Sequence, residues 1–212
     1  MLLKHLIGLL RPDQGRVLVD GVDLTALRGR ALNHMRERFG ILFQGGALFD
    51  SLTAFENVAF PLRERTRLAS AVIRERAQAE LAAVGLTGKE NAYPAELSGG
   101  MRKRVALARA LVTNPAIVLF DAPTTGLDPI MVHTIHDLIA AAHRRSGFTG
   151  IMVSHEIPEV FEVADRVAML HGGRIIAEGT PAEIRGSTHP AVQGFLTGRM
   201  ATVWVPVGES GG

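Results

Sequence analysis

The 212-residue sequence contains no cysteine. Disulfides, cysteine zinc sites, iron–sulfur clusters and thiol nucleophiles are therefore excluded, and the absence suits a reducing compartment. Aromatic residues make up only 5% of the chain, with one Trp and one Tyr, which leaves little material for base stacking. Charge of one sign is also scarce: 23 basic residues face 21 acidic ones, for a net charge of +2. No dense basic run occurs, so a nucleic-acid partner is not expected. No apolar run approaches the roughly 18 residues that span a bilayer. The opening MLLKHLIGLLRPDQG is interrupted by Lys4 and His5 and is not followed by a small-residue cleavage site. A membrane role is expected only through a partner.

What the chain does have is a hydrophobic share of 47% against 21% charged. That suits a globular protein of one domain, or of one domain with a smaller lobe. The spacing predicts a short helix over Leu2 to Leu10, ended by Arg11-Pro12, and a strand running into a turn over Gly15 to Gly21. Phe39 to Phe43 reads as a strand. Ile73, Ala77, Leu81 and Val84 recur at helical spacing before Gly85, which stands where a helix-ending glycine belongs. This marks a helical lobe over about 67–98. Helices follow at Met101 to Val112, Met131 to Arg144 and Pro158 to Ala164, with apolar strands at Ile117 to Phe120 and Gly150 to Val153. Val167 to Leu170 and Arg174 to Glu178 read as two paired strands. Short apolar strands alternating with helices predict an α/β fold with a mainly parallel sheet covered on both faces. The tail over 200–212, ending Gly-Glu-Ser-Gly-Gly, is expected to be loose.

Ala116 to Phe120 form an apolar run that ends in Asp121. In an open parallel sheet ligands bind outside the carboxyl ends of the strands. A carboxylate there suits Mg²⁺ or, equally, the capping of a following helix. Ser98-Gly99-Gly100 precedes a helical run, where Ser98 can cap the helix and the glycines let backbone N–H groups approach an anion. The same residues also suit an ordinary capped helix with a solvated basic face. His133 and His136, three apart, have no evident third ligand nearby and read as surface or packing residues, as do the other histidines apart from His155.

The order of these elements narrows the reading. Gln44 follows the first apolar strand, and Leu97-Ser98-Gly99-Gly100-Met101 lies one helix before the Asp121 strand. Pro123 to Pro129, containing Gly126-Leu127-Asp128, comes next, and the following strand runs into Ser154-His155. From Leu2 to about Thr180 the chain resembles the ATP-binding subunits of ABC transporters. On that resemblance Leu97 to Met101 is the signature and Asp121 ends the Walker B strand. Gly126 to Asp128 is the D-loop, Gln44 the Q-loop and His155 the H-loop. The stretches Phe43 to Thr53, Glu56 to Leu62 and His189 to Gly198 look like the Mla-type ATPases of bacterial phospholipid transport.

The resemblance implies a P-loop NTPase-like ABC ATPase core over 1–199, with a helical signature lobe and a flexible tail at 200–212. It also implies ATP and Mg²⁺ as cofactors, with Asp121 and Gln44 on the metal. Ser98, Gly99, Gly100 and Asp128 would contact nucleotide across a dimer of two ATP-binding subunits, and Gln44 and His155 would serve hydrolysis. Transmembrane permease subunits would dock near the Q-loop, which places the protein in the cytoplasm, peripheral on the inner face of the cytoplasmic membrane. Two departures stand out. The family's glycine-rich Walker A loop, with its Lys and hydroxyl, and the strands before it would lie upstream of Met1. Ala122 occupies the position of the family's general-base Glu, and a methyl group accepts no proton. Transport ATPase, and inactive scaffold or fragment, both remain open at this point.

Overall fold

The computed structural model describes residues 2–157 and 159–198; the tail expected at 200–212 lies outside them. The chain divides into two compact units, one up to His155 and one from Glu156.

The first unit is organised about a three-stranded parallel sheet. β3 (Phe39–Leu42), β4 (Ile117–Asp121) and β5 (Thr149–Val153) lie side by side in that order. Alternate residues of β4 enter different cores. Val118 and Phe120 join one cluster, while Leu119 and Ile117 join the other on the opposite face. A strand buried on both faces has no polar side to show, so it reads as an unbroken apolar run. Ahead of the sheet come α1 (Leu2–Leu6), a two-residue antiparallel pair of β1 (Leu18–Val19) with β2 (Val22–Asp23), and α2 (Gly29–Arg36). Leu3, Ile7, Val19, Leu24 and Met35 from this segment cover the Leu119 face. The opening helix is shorter than the sequence indicates. The chain turns at Gly8, whose φ of +66° is a left-handed conformation.

The Val118–Phe120 face is covered by helices α3 (Ala54–Arg65), α4 (Ser70–Ala83), α5 (Gly99–Leu111) and α6 (Pro129–Ser146). Within this face α3 packs on both α4 and α5. Thr53 and Glu56 form a capping box at the start of α3: Glu56 N donates to Thr53 Oγ1, and Thr53 N donates to Glu56 Oε2 at 2.9 Å. Those bonds to the carboxylate hold Glu56 below its usual pKa. Arg145 on α6 pairs with Glu80 on α4 at 2.8 Å. α5 lies directly on β3, and the reason is Gly40. A Cβ at that position would overlap the main-chain carbonyl of Ala110.

The second unit holds the antiparallel pair β6 (Val167–His171) and β7 (Arg174–Gly179), then α7 (Pro181–Arg185) and α8 (Pro190–Leu196). Phe161, Ile184 and Val192 form its core, and the Arg185 guanidinium lies over the Phe161 ring at 5.3 Å. The helix expected from Pro158 to Ala164 is a single 3₁₀ turn over Glu159–Glu162; Pro158 itself is outside the described residues.

The glycine at 40 gives a direct test. Gly40→Ala forces α5 off β3 and is expected to cost about 1–3 kcal/mol, as overpacking of a tight core does. Gly45→Ala, where no atom lies within 4 Å of the added methyl, should be near neutral. Urea midpoints compared at unchanged m-value check both.

Candidate nucleotide site and signature helix

The three parallel strands deliver three of the expected site residues to one end of the sheet. Asp121 is the last residue of β4, Gln44 follows β3 by two residues, and His155 follows β5 by two. The Gln44 and His155 side chains are exposed and Asp121 is half-buried. Ala122 continues from Asp121 with its N–H donating to the Val153 carbonyl at 2.8 Å, which ties the ends of β4 and β5 together. Its φ of +44° is left-handed. A residue carrying Cβ holds that conformation at a cost of roughly 1–2 kcal/mol. The chain therefore makes a strained turn immediately beyond the carboxylate.

The remaining site residues sit at helix starts. Ser98 caps α5, its Oγ accepting from Met101 N at 3.2 Å. Asp128 caps α6, its Oδ1 accepting from Met131 N at 3.0 Å, with Pro129 at the first helical position. Each side chain satisfies one of the otherwise orphaned N–H groups of its helix. The two signature glycines have different surroundings. Gly99 is open, with only the tip of Arg102 at 4.0 Å from an added Cβ. Gly100 is buried, and a Cβ there would overlap the Met131 side chain. The missing side chain of Gly100 thus serves the packing of α5 on α6, while Gly99 keeps the backbone approachable. Met131 also joins the signature to the start of α6, with its Sδ 3.9 Å from Arg104 Nη2.

The structure adds residues that the motifs do not name. Lys103 of α5 is buried and donates to the Gln44 carbonyl. Arg109, two turns further along α5, donates to the carbonyls of Gly46 at 2.6 Å and Ala47 at 2.8 Å. Its guanidinium lies over the Phe49 ring at 5.9 Å. Burial pushes the Arg109 pKa below its ordinary value. Asn57 of α3 is fully buried. Its Oδ1 accepts from Phe49 N at 2.9 Å, and its Nδ2 donates to the carbonyls of Phe49, Leu52 and Thr53 at 3.0–3.1 Å. Residues 44–53 have no regular structure, and these three side chains hold the carbonyls of residues 44, 46, 47, 49, 52 and 53 and the Phe49 N–H. A single sequence offers little signal for this role, since a buried Lys, Arg or Asn in a helical run looks like a solvated one.

Beside this segment lies a largely apolar cleft lined by Phe43, Ala47, Phe49, Phe60, Arg65 and Arg109 among others. Phe43, Phe49 and Phe60 are 40%, 44% and 36% exposed, and the last two meet in a tilted pair with ring centroids 4.7 Å apart.

The donor set fits a magnesium nucleotide. Among the described residues no three His, Asp or Glu side chains cluster to hold a metal alone. Mg²⁺ commonly takes one or two carboxylates and completes its shell with phosphate and water. Asp121 supplies such a carboxylate. The capped N-terminus of α5, with Gly99 open beside it, presents N–H groups and a positive dipole end of the kind that holds phosphoryl oxygens.

Comparison with known proteins agrees with this geometry. The ABC transporter family matches residues 1–125. The intermembrane phospholipid transport system ATP-binding protein MlaF of Haemophilus influenzae is 44% identical over 197 residues, covering 93% of this chain and 75% of that protein. The probable ribonucleotide transport ATP-binding protein mkl of Mycobacterium tuberculosis is 43% identical over 93% of this chain, which spans 55% of the mkl protein. The dimeric ATP-binding cassette MJ0796, solved in a post-hydrolysis state with ADP and Pi, superposes with a TM-score of 0.77 at 33% identity. That match covers 85% of this chain and 79% of the cassette. With its strand-end carboxylate, its capped signature helix and these relatives, the chain belongs to the ABC transporter ATP-binding family.

Proposed function

We propose that this chain is the ATP-binding, energy-coupling subunit of an ABC transporter that moves phospholipid. The observation that carries the proposal is the presence of two elements in one compact unit. One is the row of Gln44, Asp121 and His155 at the strand ends, and the other is the capped α5 N-terminus bearing Ser98 and Gly99. The MlaF relative supports phospholipid as the substrate; the mkl relative supports a transporter without that substrate.

In this reading residues 1–199 form the ATPase domain, with 200–212 as a tail. Two subunits face each other, and Ser98, Gly99, Gly100 and Asp128 of one meet the phosphates held by the other. Asp121 and Gln44 hold Mg²⁺, and His155 contacts the phosphate edge. Bound MgATP supplies the phosphoanhydride whose cleavage drives the cycle. Permease subunits seat in the cleft beside Phe43, Phe49 and Phe60, three exposed aromatics next to the Gln44 segment. The subunit then lies in the cytoplasm against the inner face of the membrane. Among the described residues no helix is long and apolar enough to cross a membrane.

Ala122 favours a second reading, a scaffold or regulatory subunit that does not hydrolyse ATP in its own site. Ala122 directly follows Asp121 in a left-handed turn, at the position where the family's general-base Glu is expected.

Two outcomes are expected in the subunit assembled with its permease in vesicles. Ala122→Glu should raise ATP turnover by roughly 10²–10⁴-fold, the range of general-base assistance; unchanged turnover contradicts the assignment of position 122. ATP should drive transfer of a fluorescent phospholipid between vesicles in the Ala122→Glu variant, and Ser98→Arg added to it should abolish the transfer. Uptake of a ribonucleotide without lipid transfer contradicts the substrate, and no nucleotide-dependent activity at all leaves the scaffold reading.

A further inference from the structure

α3 and α4 pack on each other and are joined by the short stretch 66–69. The corner where they meet is basic. Arg63 and Arg65 stand in the last turn of α3, Arg67 in the connection, and Arg74 and Arg76 further along in α4. Over 63–76 five arginines face two glutamates, Glu64 and Glu75, and that surplus of three exceeds the net charge of +2 on the whole chain. All five arginines are exposed, and among the described residues none of them forms an ion pair. Arg65 also lines the cleft, together with Phe60 and Pro61.

We propose that this corner is a membrane contact in its own right, and that it takes the headgroups of anionic phospholipid at the surface of the inner leaflet. The choice of occupant rests on the transporter reading. A permease seated in the cleft is embedded in the bilayer, and the basic corner continues the cleft wall through Arg65. The surface that borders the permease there is the leaflet, which carries negative charge. Arginines gathered beside a membrane-embedded segment each strengthen attachment to such a surface by roughly fivefold.

Three features favour headgroups over an ordinary solvated face. The arginines have no packing duty that accounts for them. The apolar load of the helix pair is carried on its inner side by Val58, Ala59 and Leu62 of α3 and by Ile73, Ala77 and Leu81 of α4. Among the described residues only Arg63 of the five has a side-chain partner, its guanidinium lying over the Phe55 ring at 5.9 Å. The guanidinium is also the cation that suits this ligand, because its planar fork meets phosphate oxygens two at a time. The start of α4 adds to the same field. Ala69 supplies no side-chain cap there, and the first turn holds no acidic residue. The free N–H groups and the positive end of the helix dipole are left facing the corner.

Co-sedimentation of the full chain with vesicles tests this without nucleotide or permease. The chain should bind vesicles of phosphatidylglycerol and phosphatidylcholine in equal parts, and not vesicles of phosphatidylcholine alone. Raising the salt from about 0.1 M to about 1 M shortens the screening length from roughly 10 Å to roughly 3 Å and should release it. Arg63→Gln, Arg65→Gln and Arg67→Gln together should weaken binding by roughly 100-fold. Arg67→Gln alone, outside both helices, should weaken it by roughly fivefold, and it stays informative if the triple variant does not fold. Arg30→Gln, Arg144→Gln and Arg174→Gln together remove the same charge from exposed positions elsewhere. That control should change binding by less than about twofold, since charges beyond the screening length contribute little. Equal losses from the two triple variants overturn the proposal, because attraction would then follow net charge alone. Equal binding to both vesicle compositions overturns it too. So does a fluorescent RNA oligonucleotide that binds more tightly than the mixed vesicles and is lost with the Arg63, Arg65 and Arg67 substitutions. None of these measurements involves ATP or lipid transfer, so failure here is separate from failure of the transporter reading.

Discussion

The close approach of α5 to β3 is the constraint on which the rest of the first unit depends. It exists because residue 40 has no side chain to hold the Ala110 carbonyl away. With α5 against the sheet, Lys103 and Arg109 reach the main chain that leaves β3. Moving α5 outward by the radius of one methyl group would weaken these bonds together.

Two helix starts are built by the same local device. Ser98 and Asp128 sit in extended backbone and accept from the N–H three residues on. Each leaves further N–H groups of its first turn to meet something else. The two starts are joined within the chain by Met131, which lies over Gly100. Ala122 stands apart from this design. Its left-handed backbone and its bond to Val153 hold the turn after Asp121 in place, while its methyl contributes nothing to proton transfer.

Much of this was legible in the sequence, for reasons that differ by element. The buried strand ending in Asp121 was visible because both its faces are apolar, and the capped helices because Ser98 and Asp128 precede them. The order of these pieces carried the family. α3 was less legible: Pro61 lies inside it and argues against a helix, although Thr53 and Glu56 spell a capping box. α2 was hidden by its polarity, with Met35 its one buried residue and no side-chain cap. The roles of Lys103, Arg109 and Asn57 depend on partners as many as 63 residues away and on burial, neither of which a helical pattern records. The packing of Met131 over Gly100 depends on a residue 31 positions away, which the signature pattern does not record.

The central claim is that the α5 N-terminus of this chain is a working half of a nucleotide site shared between two subunits. The most direct measurement mixes this chain with Haemophilus influenzae MlaF in which the signature serine is replaced by arginine, and reads ATP hydrolysis of the purified mixed dimer. The account predicts that activity absent from the MlaF variant alone returns on mixing, and is lost again when this chain carries Ser98→Arg. A mixed dimer that forms and stays inactive would contradict it.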